Sequence, residues 1–215
     1  MNQINETPAT RWVVLAALCL ASLTVGCGTS AQLVDMWRDS SYEGAPLENV
    51  LVVALARDRL ERRVMEDSFV ASFGEQGATV TASYQRFPDA PPRPDALKEL
   101  AAEGECGGVL VLIRAGRDEK EVYVPGYTEK KKVVDYKHWG EYEEHLEVIH
   151  HEGYTETQVV VRMKGDLLAG KDGRLLWTGT SEVVDPTSRE EFRNAVAKTF
   201  SRELLEAELV GRPAS

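Results

Sequence analysis

The middle of the chain alternates continuous apolar runs with amphipathic stretches. Residues 49–56 (NVLVVALA) and 109–113 (VLVLI) are apolar runs of strand length, which is typical of central strands covered on both faces. Between them, residues 57–76 place apolar side chains at helical spacing: Leu60, Val64, Phe69 and Phe73. Residues 78–84 alternate as a further strand, and a short helix is predicted over residues 94–104. This half of the chain therefore predicts a parallel βαβαβ arrangement.

The second half changes to a period of two. From residue 159, the apolar positions alternate with polar ones, which predicts a strand with one solvated face: Val159, Val161, Met163 and Leu167. A turn over residues 169–173 leads to a return strand that carries Leu175, Trp177 and Val183. Residues 185–188 then begin a closing helix with one apolar face, formed by Phe192, Val196, Phe200 and Leu204. The pattern predicts an α/β fold with a mixed β-sheet and α+β character in this half.

One further apolar run, at residues 12–25, does not fit the domain. As a helix it would be about 21 Å long, which is too short for a hydrocarbon core of about 30 Å. Arg11 precedes it and small residues follow it, as in a secretory signal peptide. An ordinary secretory signal and an uncleaved apolar anchor are the alternatives to the more specific interpretation that its last residues support.

The last residues of this run, Leu23-Thr24-Val25-Gly26-Cys27, resemble the lipobox of bacterial lipoproteins. The resemblance implies that Cys27 is lipidated and becomes the first mature residue, with acyl chains that hold the protein on a bilayer. In that family an aspartate after the cysteine retains the protein in the inner membrane. Gly28 stands there in this chain, so the resemblance implies the periplasmic face of the outer membrane.

Length and charge limit the remaining possibilities. We predict a signal peptide at residues 1–26, a lipid-anchored tether at 27–48 and one globular domain at 49–210, with an extended insertion at about 119–154. The formal net charge of −10 argues against nucleic acid or an anionic lipid surface as the main partner. A protein of the envelope is the expected partner. Of the three cysteines, Cys19 leaves with the signal peptide. Cys106 precedes an apolar strand, where a buried structural thiol is expected.

The chain shows no sequence signature of an enzyme. Glycines at residues 104–108 precede a strand instead of joining a strand to a helix, and there is no nucleophile elbow and no paired-histidine zinc motif. We therefore predict a protein without catalytic activity and without a cofactor. A hydrolase whose site the sequence does not reveal is the weakest of the hypotheses.

All four histidines, His138, His145, His150 and His151, fall within fourteen residues. A metal site needs three or four such ligands around one ion, at about 2.0–2.2 Å from it. In a strand, His145 and His151 would share a face but lie about 20 Å apart, and His150 would face the other way. A site would need a bend at Gly140 or Gly153, or a second chain. Metal binding by this segment is the alternative function.

The insertion at about 119–154 is rich in aromatic residues but has weak apolar periodicity. Tyr136, Trp139 and Tyr142 are its candidate partner-binding residues, because tyrosine and tryptophan with charged neighbours are enriched at interfaces. The alternative is an extended hairpin that packs these rings on its own sheet.

In layout, residues 27–215 resemble the bacterial envelope lipoproteins with a small α/β domain. This set includes the lipoprotein activator of penicillin-binding proteins and the curli-secretion lipoprotein. The shared features are the terminal cysteine, the tether, the apolar strand with its helix, and a late hairpin with the sequence DGRLLW. The resemblance implies a lipid-anchored envelope protein with a non-enzymatic binding or assembly role.

Overall fold

The computed structural model describes residues 30–136 and 142–212, which form eight strands and three helices in these ranges. The strands are β1 (Gln32–Arg38), β2 (Val50–Ala54), β3 (Val80–Ala82), β4 (Gly108–Val124), β5 (Tyr127–Tyr136), β6 (Tyr142–His151), β7 (Tyr154–Ala169) and β8 (Leu175–Val184). The helices are α1 (Arg59–Glu75), α2 (Pro94–Ala102) and α3 (Arg189–Glu206), and a single 3₁₀ turn covers Ser83–Gln85. These elements form one mixed sheet with helices on its faces and a separate two-stranded ribbon.

The main sheet has six strands in the order β1-β8-β7-β4-β2-β3. Strand β2 is parallel to both β3 and β4, and the remaining neighbours are antiparallel. Strands β5 and β6 pair only with each other in the part of the chain described. The predicted C-terminal hairpin is confirmed as β7 and β8, and the closing helix as α3.

The predicted α/β class with a parallel βαβαβ first half is wrong. Strands hold 44% of the described residues and helices 27%, so the protein is mostly β-sheet. The first half begins with β1, an antiparallel edge strand, and its parallel ladders are short, with three residue pairs between β2 and β3 and five between β2 and β4. Only β2 and the start of β4 produce strong apolar runs, whereas the long, solvated antiparallel strands produce weak ones. Sequence patterns therefore overstated the parallel part.

Helices α1 and α3 cover one face of the sheet and α2 covers the other. The larger core lies under α1 and α3, where Phe69, Trp177 and Phe200 are fully buried. Phe200 contacts both other rings, with ring centroids 6.1 Å from Phe69 and 5.3 Å from Trp177. The smaller core joins Leu100 of α2 to the opposite faces of β2 and β4. The four predicted core positions of the closing helix are all buried, which confirms the spacing of four along α3.

Two facing glycines make room for the largest buried side chain. Gly165 on β7 and Gly179 on β8 are directly paired. A Cβ at Gly165 would lie 2.8 Å from the Phe200 ring, and a Cβ at Gly179 would overlap the Trp177 ring. The absence of both side chains therefore forms the slot into which Trp177 and Phe200 pack.

Helix α1 buries a charged pair within its core face. Asp58 caps its N-terminus by accepting a hydrogen bond from the Glu61 backbone N–H. Phe69 and Phe73 are buried as predicted, but Leu60 is 67% exposed and Met65 is buried in its place. Arg62 and Glu66, one turn apart, form an ion pair with 3% and 0% side-chain exposure. A spacing of four residues usually indicates an exposed surface pair, which is why the sequence did not reveal this one.

The Glu66 carboxylate accepts four hydrogen bonds, three from two other parts of the fold and one from its own helix. Its donors are the Ala54 N–H at the end of β2, the Tyr84 N–H, the Ser83 hydroxyl and Arg62 Nε, at 2.8–3.0 Å. Arg62 also donates to the Phe87 carbonyl and to the Ser83 hydroxyl, at 2.7 Å each. The buried charges are thus fully paired, and the pair fastens α1 to the ends of β2 and β3.

Replacing Gly179 with alanine should destabilise the protein by about 1–3 kcal/mol, because the added methyl overlaps the buried Trp177 ring. Chemical denaturation monitored by tryptophan fluorescence measures the effect. The matched control is Gly74→Ala in α1, where a Cβ meets no atom within 4 Å and alanine favours the helix by about 0.5–1 kcal/mol. Equal stability of the two variants would contradict the packing described for Trp177.

Replacing Glu66 with alanine should cost roughly 3–5 kcal/mol, because it leaves the Arg62 charge buried and removes an acceptor from two backbone N–H groups. The control is Asp89→Ala, which removes the partner of Arg59 in a pair whose side chains are 71% and 82% exposed. That change should cost no more than about 1 kcal/mol. A Glu66→Ala variant as stable as Asp89→Ala would show that the buried pair does not hold the fold.

Candidate functional site

A long antiparallel arm leaves the main sheet through β4 and β7. The first residues of β4 are buried, but from Arg114 to the end of the strand the side chains are mostly exposed. The ladder with β7 nevertheless continues without a break from Gly116 to the pair Val124–Tyr154. Strand pairing, rather than burial, therefore holds this part of the chain. The sequence predicted only the buried segment of β4 because apolar runs report burial.

Charged side chains brace the arm where it leaves the sheet. Arg162 on β7 forms ion pairs with Glu182 on β8 and with Asp118 on β4, so one guanidinium joins three strands. The hydrogen bonds that it donates to Glu182 and Asp118 raise the pKa of Arg162, which stays charged throughout the physiological range. A register shift between Arg114 and Gly116 lies close to this point. A bulge of this kind increases local twist and re-aims the strand.

At the outer end of β4 and β7, the arm passes into the β5–β6 ribbon through two close glycines. A Cβ at Gly126 would lie 2.5 Å from the His151 carbonyl oxygen and 2.8 Å from the Gly153 nitrogen. A Cβ at Gly153 would overlap the Tyr123 hydroxyl. The β4–β5 connection and the β6–β7 connection therefore each require glycine at this junction. Pro125, beside Gly126, interrupts the ladder of backbone hydrogen bonds. Ten residue pairs follow, so the ribbon extends by about a further 33 Å.

The ribbon exposes apolar side chains on its surface. Val134, Leu146 and Val148 share one of its faces with Lys130 and Lys132, and each of these three apolar residues is at least 45% exposed. Tyr123, Tyr127 and Tyr154 at the junction are exposed to a similar or greater degree. Strands β5 and β6 contact each other and make few contacts with any other element. The apolar side chains of the arm therefore cover little of the described domain.

The candidate partner-binding residues lie at the outer end of this ribbon. Tyr136 and Tyr142 form its last residue pair, the one farthest from the main sheet. Trp139 falls between them in sequence, outside the described residues. The described chain thus places two of the three candidate residues, Tyr136 and Tyr142, at the end of the ribbon most distant from the main sheet.

The described histidines are separated along the ribbon, each beside a different neighbour. His145 Nδ1 lies 3.5 Å from an Asp135 carboxylate oxygen, and His151 Nε2 lies 3.6 Å from one of Glu129. On the opposite face, His150 Nδ1 lies 3.0 Å from the Thr128 hydroxyl oxygen. The His151 ring also stacks on Tyr127, with centroids 4.4 Å apart.

Within residues 30–136 and 142–212, no three histidine, cysteine or acidic side chains come together in a way that could hold a metal ion. His138 lies outside those ranges. Metal binding by the four histidines stays a prediction.

The three cysteines differ in what the structure describes. Cys19 and Cys27 lie outside the described residues, so lipidation of Cys27 stays a prediction. Cys106 is buried, as expected, and donates a hydrogen bond to the Gly108 carbonyl at 3.3 Å. Burial raises the pKa of the Cys106 thiol, which disfavours the reactive thiolate. Among the helices that are described, none has the length and apolar character needed to cross a membrane.

A second surface was missed by the sequence analysis. Five arginines from separate parts of the chain line adjoining cavities at the base of the arm: Arg57, Arg114, Arg117, Arg189 and Arg193. No two of them are closer than three residues in sequence, and more than a hundred residues separate the first from the last. Only the parallel pairing of β2 with β4 and the position of α3 bring them together, so no local motif could have indicated this groove.

No protein-family model and no curated protein matches the chain. The fold is similar to that of the PelC dodecamer from Paraburkholderia phytofirmans, at 14% identity and a TM-score of 0.41, over 82% of this chain and 98% of that one. It is also similar to lipoprotein GNA1162 from Neisseria meningitidis, at 13% identity and a TM-score of 0.38, over 74% and 99% of the two chains. Likeness at this level does not transfer a function, a partner or an assembly to the present chain.

Proposed function

We propose that this protein is a lipid-anchored, non-enzymatic envelope protein of the outer-membrane periplasmic face, and that its arm binds another envelope protein. The observation that carries the proposal is the arm itself. It extends far beyond the core and presents exposed tyrosines and aliphatic side chains that the domain does not use. A solvated ribbon without a binding role would be expected to carry polar residues at these positions.

The chemistry of the ribbon suits a protein partner. Tyrosine and tryptophan supply large contact areas with a polar end, and a rim of charged residues is typical of interfaces. On β5, Lys131 is paired with Glu147 of β6, whereas the neighbouring Lys130 and Lys132 are paired with Val148 and Leu146. Each of the two strands also has one edge without a partner in the described chain, and such an edge can accept a strand from another protein.

The anchor part of the proposal rests on the lipobox-like sequence that ends at Cys27. Replacing Cys27 with serine should abolish incorporation of a fatty-acid label and release the mature protein from the membrane fraction, because serine cannot form the thioether of a lipoprotein. Metabolic labelling, fractionation and intact mass measure this. Cys19→Ser, within the predicted signal peptide, should leave the label unchanged. A Cys27→Ser protein that keeps the label, or an unlabelled wild type, would exclude the lipoprotein assignment.

Shortening the arm tests whether the domain folds without it, as expected of a segment whose role is binding. Removing residues 125–153 and joining Val124 to Tyr154 through Asn-Gly closes the ladder with a two-residue turn at an existing residue pair. Because β5 and β6 make few contacts with the main sheet, the variant should unfold within a few degrees of the wild type. Unfolding at room temperature would show that the arm belongs to the core.

A photo-crosslinking amino acid in place of Tyr136 identifies what the arm contacts in the intact envelope. We expect one discrete adduct with a different protein. The same probe at Glu75, an exposed residue at the C-terminus of α1 and away from the arm, should give none. Adducts of equal pattern at both positions, or no adduct at Tyr136, would contradict a docking role. An adduct with twice the mass of the chain would replace the proposed partner with a second copy.

A further inference from the structure

Three adjoining cavities meet at the carboxyl end of β2, beside the middle of β4. Their volumes are about 420, 250 and 430 Å³, and Arg114 on β4 lines all three. The first lies between the end of β2 and the start of α1, and the other two continue past the start of α3 towards the base of the arm. We call this combined space the basal groove.

The topology of the sheet explains why a groove opens at this position. From β2 the chain passes through α1 to β3 on one side, and then returns to β4 on the other side of β2. Helices α1 and α2 accordingly pack on opposite faces. Connections that diverge in this way leave a crevice beyond the carboxyl end of β2, while β4 continues past it into the arm. A crevice of this kind is where open sheets with this feature bind ligands.

The charge of the basal groove is opposite to that of the protein. Its five arginines face three acids, Asp58, Glu61 and Asp185, in a chain with a formal net charge of −10. Two of these acids bind backbone groups: Asp58 accepts a hydrogen bond from the Glu61 N–H, and Asp185 accepts one from the Val159 N–H. Glu61 is the acid that approaches an arginine of the groove, with a carboxylate oxygen 3.5 Å from Arg114.

Four of the arginines have no acidic partner among the described residues: Arg57, Arg117, Arg189 and Arg193. The Nε atom of Arg193 is buried and has no hydrogen-bond acceptor there. A buried donor without an acceptor is uncommon in native proteins and is costly unless something else binds it. The side chains that line the groove are thus predominantly cationic, and most of their charge is not paired with an acid.

The N-termini of two helices add to the positive potential of the basal groove. The capping residues of α1 and α3, Asp58 and Ser188, both line the groove, so the N-termini of both helices point to the same region. Helix N-termini carry partial positive charge and stabilise anions. This contribution supplements the arginines and would not define a site by itself.

The first cavity is mainly apolar behind its charged rim. Leu55, Met65, Leu112 and Met163 form its walls, while Arg57 and Arg114 stand at its edge. A volume of about 420 Å³ is within the usual range for small-molecule sites. We propose that the basal groove binds a small amphipathic anion, with a phosphate or carboxylate group held by Arg114 and its neighbouring arginines and an apolar body in this cavity.

The test uses the full chain in phosphatidylcholine nanodiscs, with phenyl phosphate and benzoate as anionic probes and phenol as their neutral counterpart. Ligand-detected NMR titration should show binding of at least one anion, and phenol should bind more weakly by on the order of tenfold or more. Binding should weaken as salt is raised. Phenol that binds as tightly as the anions would overturn the proposal.

Two variants with a matched control connect binding to the groove. Arg114→Gln and Arg189→Gln should each weaken anion binding by on the order of tenfold, since a charged hydrogen-bond donor is lost. Arg202→Gln, on the same helix as Arg189 and about 20 Å further along it, should change binding less than about twofold. Near-ultraviolet circular dichroism confirms folding of each variant. Equal effects of Arg189→Gln and Arg202→Gln would exclude the groove.

Changing the lipid in the nanodisc distinguishes a lipid head group from a soluble molecule as the natural ligand. If the natural ligand is an anionic lipid head group, adding phosphatidylglycerol should displace phenyl phosphate, and Arg114→Gln should abolish that competition. If the ligand is a soluble molecule, phosphatidylglycerol should leave the titration unchanged. Both results require Arg114, and displacement that persists in Arg114→Gln would contradict binding in the groove.

Discussion

The hydrogen bonds of the buried Glu66 carboxylate hold together the part of the fold where β2 and β3 end. Glu66 lies in the core face of α1, and its carboxylate accepts hydrogen bonds from backbone N–H groups at the end of β2 and just after β3. Both strands stop there, so their last N–H groups have no ladder partner of their own. A fully buried carboxylate is costly unless its lone pairs are used, and here Arg62 and Ser83 supply the remaining donors. One side chain thus fixes where α1 begins relative to the ends of β2 and β3.

That constraint positions the features proposed to be functional. With α1 held against β2, the basal groove is lined by Ala54, which donates to Glu66, and by Met65, its neighbour in sequence, together with Arg57 and Arg114. Strand β8 is parallel to β4, so α3 begins at the same end of the sheet, and the arm leaves from there as well. Strand β1 also starts at this end, where Gln32 pairs with Glu182. The described chain places its arm and its cationic groove together, and the C-termini of α1 and α3 at the other end.

The sequence predicted what burial determines and missed what pairing and topology determine. Alternation in β7 and β8 and the spacing of Phe192, Val196, Phe200 and Leu204 were correct because each follows from one face being buried. The outer half of β4 was missed because its exposed, charged residues carry no apolar period, although the ladder to β7 continues. The same cause led to an overestimate of the parallel part of the fold. Arg62 and Glu66 were missed because a pair four residues apart on a helix has the same spacing whether it is buried or exposed.

The candidate sites show the same difference between local geometry, which the sequence predicted, and sheet topology, which it did not. The alternation of β6 correctly predicted that His145 and His151 share a face while His150 faces the other way, because strand geometry is local. The basal groove was not predictable, because its arginines come from β4, α3 and the loop after β2 and meet only through the sheet order. A charge count also hides it. In a chain with ten more acids than bases, four of the five groove arginines still have no acidic partner among the described residues, so their charge can attract an external anion.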